Sequence, residues 1–147
     1  MKKILLFCVI LSGIVVGITR GNTVNYLSDS TAKDLEIYDM IKQLENGFAK
    51  NDVSFISPHL GSQVYLSFLN DVSGYYSSNQ AYYILEKFFK DYSVISFSFD
   101  KIKTDTTTPF ATGRYYYEHR GNRAEAKVYL SLKFSNNSWE ITQISID

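Results

Sequence analysis

The sequence predicts an α+β domain in which a strongly bent antiparallel sheet carries helices packed on its concave face. Three observations predict it. Apolar residues recur at helical spacing twice in the first two thirds of the chain, and they alternate with period two through most of the last third. The alternation also changes parity inside two strands, which happens where a strand is bulged and its sheet bends.

The N-terminus reads as an export signal. Lys2 and Lys3 precede an apolar run from Ile4 to Ile18. That run is shorter than the roughly 20 residues a membrane span needs and fits the apolar region of a signal peptide. Small residues at Gly17, Thr19 and Gly21 place cleavage near residues 17 to 22, with a mature start between 18 and 24. A retained N-terminal anchor is the alternative. The expected organisation is a signal peptide over residues 1–21, a flexible lead-in over 22–32 and a single domain over 33–147. The expected location is periplasmic or secreted.

Within the domain, Thr31 with Asp34 has the spacing of a capping box. Ile37, Ile41, Leu44 and Phe48 follow on one helical stripe. Asn51 or Asp52 caps a short second helix that Pro58 and Gly61 end. Val64, Leu66 and Phe68 alternate with Gln63, Tyr65 and Ser67 as a strand, and "NDVSG" turns it back into a short strand at Tyr75 and Tyr76. Ser77 with Gln80 caps a third helix, where Ala81, Ile84, Leu85, Phe88, Phe89 and Tyr92 form a stripe two residues wide.

The remainder is strand. Ile95, Phe97 and Phe99 are expected on one face, with the parity changing at Ile102. Residues 109–120 form a second strand. Ala124 through Phe134 alternate without interruption, and Trp139 to Ile146 end the chain with Ile141 on one parity and Ile144 and Ile146 on the other.

Composition narrows the chemistry. Without Lys2, Lys3 and Arg20 the chain has 12 basic residues against 15 acidic, a net of −3. That lacks the basic excess expected for nucleic-acid binding. Cys8 is the one cysteine and leaves with the signal, so the mature chain has no disulfide or thiolate chemistry. His59 and His119 lie 60 positions apart with no acidic companion at metal-ligand spacing, so no metal site is assigned. Nucleophile-elbow, phosphate-loop and dinucleotide glycine motifs do not occur.

The element order resembles the nuclear transport factor 2-like fold, a cone of curved sheet wrapped over helices. More narrowly, "YYSSNQAYYILEKFF" resembles the signature of an exported bacterial domain family of unknown function. In that signature a tyrosine–serine turn leads into a glutamine–alanine helix ending in a phenylalanine pair, here Tyr76, Ser77, Gln80, Ala81, Leu85, Phe88 and Phe89. "ATGRYYYEHRGNRAEAKVYLSLKF" resembles the family's glycine-bearing strand and its successor. The resemblance covers about residues 33–147 and transfers no catalytic residue.

The fold resemblance also implies relatives similar to ketosteroid isomerase, with a tyrosine and buried carboxylates in the cone. Tyr38 and His59 are the residues here that could serve such a site, but no Asp or Glu takes a clear inward strand position. Two helices should leave the cone mouth unfilled, so a pocket edged by Tyr38, His59 and Tyr76 is expected. Tyr115 and Tyr117 are candidates for an exposed aromatic face, and Arg114 with Glu118 for a surface ion pair. The expected function is an exported non-catalytic module, without cofactor, that binds a small apolar ligand or a protein partner, a homodimer through the sheet included. A cone-pocket isomerase or lyase and a sheet face binding sugar or peptide are the alternatives.

Overall fold

In the computed structural model the backbone is described from Thr23 to Asp147 and the side chains from Ser30 onward. The signal-peptide reading of residues 1–21 lies outside the described residues. Helix α1 (Thr23–Lys50) leads into two 3-10 turns (Val53–Phe55 and Ser57–His59), the hairpin β1 (Leu60–Phe68) and β2 (Ser73–Ser77), and helix α2 (Ser78–Asp91). Four long strands complete the chain: β3 (Ser93–Lys103), β4 (Phe110–His119), β5 (Asn122–Ser135) and β6 (Ser138–Ile146). They form one sheet in the order β2-β1-β6-β5-β4-β3. All neighbours are antiparallel except β1 and β6, which run parallel where the last strand closes against the first.

Helix α1 starts earlier than the capping pattern at Thr31 suggests, so the segment read as a lead-in is helical from Thr23. No Pro or Gly occurs between Thr23 and Asn46. Extending an existing helix through such residues costs little, because nucleation is the expensive step. The expected stripe holds, with Ile37, Ile41, Leu44 and Phe48 buried. In α2, the Ser77–Gln80 capping box forms, and Ala81, Leu85, Phe88 and Phe89 are buried. The aromatic-rich stretch around α2 is therefore core.

The parity changes are bulges. In β3, Val94 pairs with Tyr117 and Ser96 with Tyr116, which leaves Ile95 as the extra residue. The pairs Phe99–Gly113 and Lys101–Thr112 likewise leave Asp100 extra. In β6, Thr142 is extra, between Ile141 opposite Leu132 and Gln143 opposite Ser131. Each bulge bends its strand and switches the face on which the later residues lie. The expected grouping of Ile95 with Phe97 and Phe99 therefore fails: Ile95 is 49% exposed, and Val94 packs against the core instead. Gly113 sits where β3 presses on β4, and a Cβ there would collide with the Ser98 carbonyl oxygen.

The alternation in β4 is also the reverse of that proposed for an aromatic face. Tyr115 is fully buried and Tyr117 packs against the core, whereas Tyr116 is 39% exposed. The Tyr115 hydroxyl shares its one proton between two acceptors, Asn51 Oδ1 at 2.6 Å and the Tyr92 carbonyl at 2.8 Å. Asn51 ends α1 in the left-handed region (φ +50°), with Asp52 N–H bonded to the Gly47 carbonyl and Asn51 N–H to that of Phe48. This is the turn that asparagine tolerates after a helix. From there its amide donates to the carbonyls of Phe89 and Tyr92 at 2.8 and 3.3 Å. One polar joint thus ties the ends of both helices to the middle of β4.

Replacing Tyr115 with Phe keeps the ring but strips the Asn51 oxygen of a buried partner. Urea unfolding should show a loss of about 1–3 kcal/mol, and a midpoint equal to wild type would mean that the joint contributes no stability.

Candidate functional site

Of the three residues expected around one pocket, the structure brings His59 alone into a groove at the cone mouth. That groove, of about 290 Å³, is lined by Glu36, Asp39, Met40 and Gln43 of α1, His59, and Ser138 and Trp139 of β6. Tyr38 points elsewhere on α1, is 43% exposed, and has the Lys42 ammonium 5.9 Å from its ring centre. Tyr76 lies on β2 opposite Val64, half-buried against the core. The space between helices and sheet is occupied by large side chains, among them Phe48, Phe88, Leu44, Leu130 and Tyr115, all nearly inaccessible. These side chains, the phenylalanines among them, close the interior that the expected pocket required.

The polar groups near that interior are committed to structure. Burial pushes the Tyr115 hydroxyl above its ordinary range, opposed by its hydrogen bond with Asn51, so it stays protonated and acts as a donor. The Glu45 carboxylate accepts from the Phe99 backbone N–H at 2.7 Å and from Lys42 at 2.9 Å, covering part of the open edge of β3. His119 donates from Nδ1 to the Asp91 carbonyl at 2.6 Å and stacks on Tyr92, whose other face stacks on Phe88. In the mouth groove, the Trp139 Nε1–H is buried without a partner. Among the described residues, no group of three or more His, Cys, Asp or Glu is placed to hold a metal ion.

The outer face of the sheet is different. Arg114 reaches Glu125 at 2.6 Å and Asp100 at 3.9 Å, while Glu118 pairs with Arg123 at 3.6 Å, so the expected Arg114–Glu118 pair does not form. Beside these charges lies a shallow groove of about 510 Å³ lined by Ile95, Ser96, Tyr116, Arg123, Ala124 and Glu125. The bulge turns Ile95 out into it. Sequence alternation could have located Tyr116, because it shares parity with the charged Arg114 and Glu118. The reversal at Ile95 needed the pairing register.

The chain belongs to the DUF4783 family, a domain of unknown function whose family model matches residues 41–147. Its structure is similar to that of a DUF4783 protein from Bacteroides uniformis, at 21% identity and a TM-score of 0.65, covering 72% of this chain and 94% of that one. It is also similar to a DUF4783 protein from Bacteroides ovatus, at 22% identity, TM-score 0.61 and coverages of 71% and 90%. A nuclear transport factor 2-like protein of unknown function from Shewanella oneidensis matches at 14% identity, TM-score 0.52 and coverages of 82% and 98%. The fold is therefore nuclear transport factor 2-like. No curated protein matches the sequence significantly.

Burial lowers the pKa of His59, so the folded protein binds this proton less readily than the unfolded chain. Stability from this residue is complete above the unfolded value of about 6.5 and is lost as pH falls below it. A His59→Gln variant should flatten that part of the stability–pH curve. An unchanged curve would mean that His59 titrates as it does in water.

Proposed function

We propose that the protein is an exported, non-catalytic module that acts by binding a protein partner through the outer face of β3, β4 and β5. The observation that carries this reading is Ile95. A bulge in an edge strand places this isoleucine, 49% exposed, beside the exposed ring of Tyr116. Exposed apolar groups clustered within a polar rim are the anatomy of a contact surface. The rim carries both signs, from Arg123 and Glu125. Such a patch is compatible with self-pairing about a two-fold axis, so a second copy of the chain is one partner it suits. The filled interior favours this surface over a cone pocket for a small apolar ligand. Tyr38 and His59 have no shared polar partner to support the isomerase alternative.

A photo-crosslinker at Ser96 should give an adduct of discrete protein mass in intact cells of the source organism. Ile95→Lys should abolish that adduct while leaving the melting temperature nearly unchanged, since Ile95 is an exposed side chain outside the core cluster. A crosslinker at Lys87 on α2 should give none. No protein adduct from Ser96, or one indifferent to Ile95→Lys, would remove the proposal.

Export is part of the same reading and rests on the residue 1–21 pattern. N-terminal sequencing of protein from the cell envelope or medium should find a start between residues 18 and 24. Protein beginning at Met1 in the cytosol would contradict it.

A further inference from the structure

We propose that the outer face of β2, β1 and β6 carries a binding site for a neutral oligosaccharide. The site is independent of the partner surface: Ala124 and Ser131, which mark the two regions on β5, are separated by roughly 23 Å of strand. Strand pairing sets Tyr75, Tyr65, Gln143 and Ser131 side by side in one row across four strands. With Gln63 and Thr142 they line a shallow groove of about 450 Å³.

The exposed part of the row, over β2, β1 and β6, has the chemistry a sugar requires. A pyranose ring presents an apolar face of C–H groups and a rim of hydroxyls that both donate and accept. Tyr75 is 71% exposed and offers a flat ring to such a face. It is steadied by edge-to-face contact with Tyr65, at 5.2 Å and 64°, and the Tyr65 hydroxyl lies 3.2 Å from Ser73 Oγ. A tyrosine held this way gives contact area at little conformational cost. The amides of Gln63 and Gln143 each supply donors and an acceptor, matching hydroxyls in both roles. Gln143 is oriented by donating to Ser145 Oγ at 3.0 Å. At the far end of the row Ser131 is buried and its hydroxyl pairs with that of Thr142 at 3.1 Å, so this end is polar but already satisfied.

The lining also narrows the ligand class. None of its six residues is charged, whereas the groove beside Ile95 carries Arg123 and Glu125 and that beside His59 carries Glu36 and Asp39. An anionic ligand would meet no counter-charge here. An apolar one would cover amides and hydroxyls without satisfying them, which costs free energy. The competing explanation of Tyr65 and Tyr75 is a cross-strand pair that only stabilises the hairpin. It does not account for the uncharged amides and hydroxyls continuing the row over β6 and β5.

The test is a two-dimensional amide NMR titration of the protein with cellohexaose, maltohexaose and hexa-N-acetylchitohexaose. At least one should give saturable shifts at Tyr65, Tyr75 and Gln143, with a millimolar dissociation constant. Tyr75→Ala should weaken that binding about tenfold, in line with loss of one stacking face, while Tyr75→Phe retains it. Spectra of the variants away from the hairpin should be unchanged, which separates loss of binding from loss of fold. The proposal is overturned if none of the three sugars gives saturable shifts, if the shifts map elsewhere, or if Tyr75→Ala binds as well as wild type. Equal binding of an oligogalacturonate would overturn the assignment to a neutral ligand.

Discussion

The hydroxyl of Tyr115 is the point on which the arrangement of helices and sheet depends. Without it, α1 would be tied to the sheet by Glu45 at β3 and α2 by His119 at the end of β4, and the apolar contacts around them set a distance but no direction. With it, Asn51 at the end of α1 and the Tyr92 carbonyl at the end of α2 are both referred to the middle of β4. Asn51 serves twice, since its backbone accepts the left-handed turn and its amide bonds the last carbonyls of α2. Every polar atom of this joint that is buried is also partnered, the condition under which a buried polar network specifies a structure without destabilising it. The stack of Phe88, Tyr92 and His119 extends the same joint toward the surface.

Single-residue bulges in β3 and β6 then decide much of what each face of the sheet displays. Ile95 and Asp100 in β3, and Thr142 in β6, each insert one residue and reverse the alternation beyond it. On the inside this lets Val94, Phe97, Phe99 and Ile102 all contribute to the core despite their uneven spacing. On the outside it delivers an isoleucine to one groove and a threonine hydroxyl to another. The bending that closes the sheet over its helices and the chemistry of its outer surface thus come from the same insertions.

Much of the fold was legible in sequence because it obeys local rules. Both apolar stripes, the Ser77–Gln80 capping box and all six strands are placed by spacing and capping chemistry. The start of α1 was not, because the capping pattern at Thr31 mimics a beginning and nothing before it breaks a helix. The site was far less legible. The three tyrosines 115–117 alternate faces on any reading, and only their neighbours indicate which face is inward. Arg114 and Glu118 share parity with Tyr116, and that relation would have set Tyr115 inside. The row from Tyr75 to Ser131 draws its members from four strands, so no spacing along the chain could reveal it. The expected rim of Tyr38, His59 and Tyr76 assumed a vacancy that Phe48, Phe88 and Tyr115 occupy.

That occupancy has a physical origin and a consequence. A domain of this length with no disulfide draws its stability from its single core. Aromatic side chains bury the most area per residue, so filling the cone with phenylalanine and tyrosine is an effective way to stabilise a small α+β domain. A cone open to ligand would have to give up part of that burial, at a cost that grows with the cavity volume. Here the interior serves stability, and its buried Tyr115 hydroxyl is held by an amide and a carbonyl. Any binding proposed for this domain then falls to side chains that the core does not need. On a sheet with one buried face, those are the outward-pointing alternate residues, and in this protein they include Tyr65, Tyr75, Ile95, Tyr116 and Gln143.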